Sequence, residues 1–594
     1  MKQTQKKRKK KQYKKWPWVA AILALLVIAV VVFAGARLAA EKEQSACVYL
    51  REGALYLQRS PGDDPIRVAD AFDESGGAYV SQTASGDFLL YPSNLRKAAD
   101  GSISGYDLYG APARGREAGK EFLIAQDVSG KPEELTEESS IFYLRAETDG
   151  AGTLCAYHLP KREEVVIDTE VTAFQQIGGK DSPLCYLRKE GGSQVLYAYN
   201  GTAKTELDRA VAEFHLYPTQ ASWELFYLKA QEQDGIFSLY KQTKTTNAQL
   251  VAEGVASVRF DQYAPGGPLY YLCPSAEQLS WTDLIEDDKK EEDAALQEPK
   301  LTDFVGGVLD SLLNFSEYGS GAYHTALTAY NEKLKRDKIR EELSSLDAEA
   351  LFGGLRYDCY AFTGTNSLLL AGGLHLDSLY AASAASPAIV SYSYSLNQKD
   401  RLQISALDDE WIAQAQEEGW EALLTKLAQQ ALSPALALTT VKDGKPVSSA
   451  IEQVPQETAF AFSNDGAHLY LLEEMEQGGT LTRATVSATG LTEKTKIDTN
   501  VSRYIVSKDT VYYLKGSNVQ SGTLYKFTYS ESVLIENDVR SLEQLSDGNL
   551  LYYQKSADGN TALFLLQDGE AVQVGEHVFC LLYTSPSPRD GATS

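Results

Sequence analysis

Residues Arg540–Val578 read RSLEQLSDGNLLYYQKSADGNTALFLLQDGEAVQVGEHV, and their punctuation decides how the chain folds. SLEQLS alternates apolar and polar side chains, as a half-buried strand does. Asp547-Gly548-Asn549 then makes a tight turn, because Gly and Asn adopt positive φ at little cost. LLYYQK supplies a second strand, ALFLLQ a third and AVQVGEHV a fourth, with Asp568-Gly569 turning between the last two. The result is a unit of four short antiparallel strands, and that unit recurs along the chain.

Its marker is an aliphatic residue, then Tyr, then usually Leu and a basic residue, centred on Tyr49, Tyr91, Tyr143, Tyr186, Tyr227, Tyr271, Tyr392, Tyr470, Tyr513 and Tyr553. Most neighbours lie roughly 40 to 44 residues apart, the period of β-propeller blades. The strand order is kept elsewhere: IFYLRA leads to TLCAYHL and EVVIDTEV, and VYYLKG to TLYKFTY and SVLIENDV. The expected fold is therefore all-β, a propeller of four-stranded blades with about ten repeats. Two consecutive rings or one unusually large ring both satisfy that number. The first unit begins at its second strand, Cys47 to Arg51, so its innermost strand is expected just beyond Phe579.

Phe462-Ser463-Asn464-Asp465-Gly466-Ala467-His468-Leu469-Tyr470 resembles the Phe-Ser-Pro-Asp-Gly turn of TolB-like propeller repeats, with Asn464 in the place of Pro. At the level of strand order the resemblance covers most of Cys47 to Phe579. It implies the propeller fold and transfers no active-site residue.

The two ends differ from the repeats. Residues 1–15 carry Lys and Arg with no acid, and the apolar run from Trp16 to Ala36 is long enough to cross a bilayer as a helix. Residues 16–40 are expected to form an uncleaved signal anchor with the basic tail in the cytoplasm and Trp16 and Trp18 at the interface. A cleaved leader is the alternative, since Ala-Gly-Ala and Leu-Ala-Ala offer small residues to a peptidase. The expected location is the bacterial cell membrane, single-pass, with the rest of the chain outside. At the other end, CLLYTSPSPRD (Cys580 to Asp590) resembles the in-frame translation of a transposase adapter used in sequencing libraries. Residues 580–594 are accordingly expected to stand apart from the natural fold.

Composition narrows the function. The whole chain has 56 basic and 81 acidic residues; without the nine basic residues of the tail, 47 remain and the net charge is −34. Such a domain is a poor partner for nucleic acid, whose binding relies on Lys and Arg neutralising phosphates. Cys47, Cys155, Cys185, Cys273 and Cys359 are scattered singly and read as small buried side chains, with a disulfide such as Cys155 to Cys185 left open. The six histidines, at 158, 215, 324, 375, 468 and 577, fit no metal-binding spacing. No G-x-S-x-G turn and no phosphate-binding glycine loop occurs. No cofactor, metal ligand or catalytic residue is assigned.

Three spacings exceed the repeat, and in each the surplus falls between the second and third strands of a unit. Equivalent loops emerge on one side of a propeller, so the additions should crowd one face. A small one holds Gly101 to Gly105. The largest, residues 278–354, separates propeller repeats 41–277 from 355–579. It opens with Glu286-Asp287-Asp288-Lys289-Lys290-Glu291-Glu292-Asp293, which reads as a solvated linker. A helix is expected over Pro299 to Phe315 and a second over about Tyr323 to Leu346, with Leu327, Tyr330, Leu334 and Leu343 on one side and Lys333, Lys335, Arg336, Lys338 and Arg340 on the other. The third addition, near residues 400–434, suggests a helix from Asp408 to Leu432 bearing Trp411 and Trp420. If both large insertions share a face, their apolar stripes pack together as a helical cap.

These features point to a membrane-anchored, extracytoplasmic binding or scaffolding module for a protein or cell-envelope ligand. Its candidate interaction surface is Tyr323, Tyr330, Leu334, Arg336, Arg340, Trp411 and Trp420. The rival reading is a propeller enzyme acting on envelope glycans or peptides, with residues from several blades converging at the ring mouth.

Overall fold

A twisted antiparallel sheet buries both faces only when another sheet covers each of them, and the strands here are apolar on both faces. The computed structural model describes most residues from Cys47 to Leu581. Residues 1–46 and 582–594, and internal stretches of which 305–318, 347–355 and 425–431 are the longest, lie outside the described residues. The expected anchor, most of the first insertion helix and the Asp547-Gly548-Asn549 turn fall among them. Two compact units are present, one running to Asp168 and resuming at Val539, the other running from Thr169 to Asp538.

In the second unit, Val211–Pro218, Trp223–Ala230, Phe237–Thr243 and Thr246–Val255 pair in chain order as a four-stranded antiparallel sheet. Along Trp223–Ala230 successive side chains go to opposite faces. Leu225 and Tyr227 pack with Cys185, Leu187 and Leu196 of the preceding sheet, whereas Phe226 and Leu228 pack with Leu269, Tyr271 and Phe362 of the next. The same layering joins Val390, Leu436 and Leu438 to Leu469 and Leu471, and Tyr470 and Leu472 to Val511 and Tyr513. Sheets stacked face to face in chain order are the blades of a β-propeller.

Successive sheets are joined without a loop. In the first unit, Phe122–Leu135 pairs up to Val128 with Ile103–Pro112 and from Val128 onwards with Ser140–Ala146. The change occurs at Asp127, whose φ is 58°. Glu170, Ala210, Asn500 and Asp538 have the same left-handed backbone, φ 56° to 59°, and Gly254 and Gly373 sit at 70° and 71°. Each is followed by an apolar residue at most 1% exposed: Val128, Val171, Val211, Val255, Val501, Val539 or Leu374. The left-handed residue re-aims the strand, and the buried residue after it pins the new direction between two sheets.

The tyrosine marker has a structural cause. Tyr49 on Tyr56, Tyr91 on Tyr109, Tyr186 on Tyr197, Tyr227 on Tyr240, Tyr271 on Tyr360 and Tyr513 on Tyr525 are directly paired across the second and third strands, with ring centroids 5.2 to 5.8 Å apart. Such cross-strand aromatic pairs fix register. In the last sheet the stacked ring is Tyr552, on Phe564, one residue before the position expected from the motif. The basic residue of the motif serves the tyrosine. Tyr227 Oη donates to Asp208 Oδ2 at 3.0 Å while Lys229 Nζ reaches Asp208 Oδ1 at 2.8 Å. Tyr513 and Lys515 share Asp498 likewise, and Tyr143 and Arg145 share Glu164. Burial works against each carboxylate, but the cation, the hydroxyl and, for the two aspartates, a backbone N–H hold all three below the usual carboxyl range.

The first and last sheets meet in the first unit. Tyr49 packs with Leu551, Tyr553, Leu563 and Leu565, while Val48 and Leu50 face Val80, Leu89 and Tyr91. Cys580–Leu581 pairs antiparallel with Leu50 and Tyr49. Two residues of the tail expected to stand apart therefore occupy the innermost strand position of the first sheet. Backbone pairing asks only for an extended segment there, whatever its side chains. Cys155, Cys185, Cys273 and Cys359 carry free thiols, so the Cys155 to Cys185 disulfide is not formed. Burial pushes Cys155 and Cys273 up to about 11 and Cys359 up to about 12, which keeps these thiols protonated at neutral pH.

Candidate functional site: a helical cap

Both large insertions leave the second strand of a sheet and return on the third. Leu269–Pro274 pairs with Tyr357–Phe362, and Ile389–Leu396 with Leu432–Lys442, so the added residues emerge from the same end of neighbouring blades. In chain order they form α1 (Trp281–Leu284), α2 (Lys290–Ala295), α3 (Gly319–Ser344) and α4 (Asp409–Glu418). Between α1 and α2, Ile285–Glu286 pairs in parallel with Leu402–Gln403 of the other insertion. Leu284, Ile285, Ile339, Leu343, Ile404, Leu407 and Leu424 make one buried cluster, with Trp281, Trp411 and Trp420 packed against it. The expected cap exists, and its core draws on both insertions.

The acidic run is not a solvated linker. Asp293 is only 2% exposed, and Arg336 grips it through Nε to Oδ2 at 2.8 Å and Nη2 to Oδ1 at 2.5 Å. Arg340 donates through Nε and Nη2 to Asp287 at 2.8 and 2.7 Å, through Nη2 also to Asp293 at 2.9 Å, and through Nη1 to Asp337 at 2.7 Å. Asp288 accepts from Ser405 N and Oγ at 3.1 and 2.6 Å, tying the run to the second insertion. The Arg336 fork, helped by Arg340, outweighs burial and holds the Asp293 carboxyl below the ordinary range.

The expected orientation of α3 holds for Leu343, which is buried, but not for Arg336 and Arg340, which share its packed side. Arg336, Ile339, Arg340 and Leu343 form its packed face, whereas Leu334 is 47% exposed. The reason is chemical: an arginine four residues from another on one helix face can bury its stem while its planar fork satisfies carboxylates. The guanidinium groups of Arg336 and Arg340 are thus engaged in holding the cap. Tyr323 stands edge-on to Phe304, with ring centroids 5.9 Å apart, and Lys333 lies 5.6 Å from the Tyr330 ring. Trp411 and Trp420 stack obliquely, 5.4 Å apart, on the apolar cluster. The expected long helix from Asp408 to Leu432 is interrupted at Gly419, φ 92°, is helical again over residues 420–424, and Leu432 already belongs to the next strand.

Of the seven candidate residues, four therefore belong to the body of the cap, and Tyr323, Tyr330 and Leu334 lie on the stretch of α3 before Ile339, where no described residue is buried. Sequence reading missed Asp287, Asp288, Asp293 and Ser405. The available signal was the Arg336–Arg340 spacing together with an acidic run able to answer it. Among the described residues no group of three or more metal-binding side chains converges.

Pairing and blade packing together define a β-propeller repeat protein, and the Phe462–Tyr470 turn keeps the geometry its sequence suggested. In that turn Ser463 Oγ donates to Asp465 Oδ1 at 2.6 Å, and Gly466, at φ 71°, leaves no room for a Cβ against Ser383. In sequence the chain matches no protein family and no curated protein. Solved structures with similar folds include the β-propeller domain of the Trilobed protease from Pyrococcus furiosus, at 8% identity over 84% of this chain and 99% of that one, TM-score 0.28. A eukaryotic initiation factor aligns at 10% identity over 83% of this chain and 97% of its own, TM-score 0.38. TolB from Acinetobacter baumannii aligns at 14% over 39% of this chain and 58% of its own, TM-score 0.23.

Proposed function

We propose that the protein is a membrane-anchored, extracytoplasmic β-propeller of about ten blades that acts as a binding or scaffolding module for a protein or envelope ligand. The observation that carries this reading is the cap. Two insertions from adjacent blades are interlocked by a strand pair, an apolar core and an arginine clasp. Such a body anchors the end of α3 that carries Arg336 to Leu343 and leaves Leu334 open to solvent, so that the helix can be presented to a ligand. Rigid presentation lowers the ordering cost of binding. The Trp16 to Ala36 run supports the anchor, with the acidic domain on the far side of the membrane. Among the described residues no helix is long and apolar enough to cross a membrane.

The test is photocrosslinking in intact cells from a reactive residue at position 334, compared with one at position 247, an exposed position at the start of the strand Thr246–Val255. Discrete adducts at 334 and none at 247 support the reading. Identical patterns at both positions would remove the cap as the binding surface.

A further inference from the structure

We infer that Asn200 is a built-in deamidation site, converting to aspartate and isoaspartate without an enzyme. Asn200-Gly201 is the one Asn-Gly pair in the sequence. It sits in the exposed turn between Ser193–Tyr199 and Lys204–Arg209, closed by Tyr199 opposite Lys204 and by Asn200 N donating to Ala203 O at 3.2 Å. Gly201 is exposed at φ 89°, with open space where a Cβ would stand. No side chain at position 201 therefore crowds its backbone nitrogen.

The side chain it would attack is already polarised. Asn200 Oδ1 accepts three hydrogen bonds: from Thr202 N at 3.1 Å, Thr202 Oγ1 at 3.0 Å and Ala203 N at 2.9 Å. When Gly201 N loses its proton to base and bonds to Asn200 Cγ, the carbonyl electron pair moves onto Oδ1, where those donors already point. Donors aimed at developing oxyanion charge lower such a barrier. Collapse of the intermediate expels Nδ2 as ammonia, taking a proton from water, and closes a five-membered imide. Water then opens the ring at either carbonyl, so the net change is asparagine plus water to aspartyl or isoaspartyl plus ammonia. The product adds a negative charge to an acidic chain. In its isoaspartyl form it also adds a methylene to the backbone of a hairpin whose strands already shift register between Leu196 and Tyr197.

Incubation of the full chain in mild alkali, followed by peptide mapping and isoaspartate detection, tests this. The peptide holding Asn200 should gain about 1 Da. It should do so at least about tenfold faster than the peptide holding Asn247, an exposed asparagine at the start of the strand Thr246–Val255 and followed by Ala. Thr202→Val removes one donor but keeps both backbone bonds, and should slow Asn200 several-fold without changing Asn247. Conversion of Asn200 no faster than Asn247 would overturn the site. An unchanged rate in Thr202→Val would overturn the role given to the oxyanion donors.

Discussion

Asp293 is the residue on which the cap depends most. Its carboxylate is removed from water and balanced by two guanidinium groups, one of which, on Arg340, also serves Asp287 and Asp337. Removing a partner from a buried pair costs more than forming the pair gains. Arg336→Ala should lower the stability of the cap by about 2 kcal/mol, less than for a fully buried pair because Arg336 keeps some solvent contact and Arg340 remains. Hydrogen exchange along α3 reads this directly, and protection equal to wild type would contradict it. The pH dependence has a fixed sign. The folded carboxyl titrates below its unfolded value, so its contribution is complete above about pH 4 and is lost as the pH falls through the lower folded value. Exchange in α3, corrected for intrinsic rates, should accelerate below about pH 4 and stay flat from there to neutrality.

At the scale of elements, the pivots between blades explain what the sequence disclosed and what it hid. The strands and their tyrosine marker were legible because a period of two and a recurring aromatic are strong local signals. The placement of all large insertions between second and third strands followed from spacing alone. The pivots were not legible, because a single left-handed residue leaves no periodic trace and the residue types differ: Asp127, Glu170, Ala210, Gly254, Gly373, Asn500 and Asp538. The apolar residue that follows each pivot was the overlooked signal. Arg336 and Arg340 were assigned to the wrong side of α3 because Asp287 and Asp293, which hold them there, lie 43 to 53 residues upstream, beyond the reach of a helical pattern. Ala210 offers the cleanest test of the pivots, since it has no polar group to ease φ 58°. Ala210→Gly should stabilise by about 0.5 kcal/mol, the relief of left-handed strain exceeding the added chain entropy. Val211→Ala, at a 1% exposed position, should destabilise by about 2 kcal/mol. Denaturant midpoints decide both, and a Gly substitution more harmful than the Ala at 211 would refute the pivot argument.

For the molecule as a whole, the propeller and its cap make separable demands on the chain. The large insertion leaves and rejoins one hairpin, whose paired ends, Pro274 opposite Tyr357, are neighbours across two strands. A short turn can therefore replace residues 278–354 without disturbing the ladder from Leu269 to Phe362. The second insertion would keep its own strands, Ile389–Leu396 against Leu432–Lys442. What it would lose is its cover: Ile404, Leu407 and Leu424 are buried against Leu284, Ile285, Ile339 and Leu343. Asp288, which fixes Ser405, would go as well. The deletion should leave the β-sheet circular dichroism per residue unchanged while opening an apolar patch around Trp411 and Trp420 that binds a hydrophobic dye and brings those indoles into water. Loss of the sheet signal would mean that the cap is required for the blades themselves. An unchanged tryptophan environment would mean that the two insertions do not form one body, and the cap could then no longer be treated as a single binding surface.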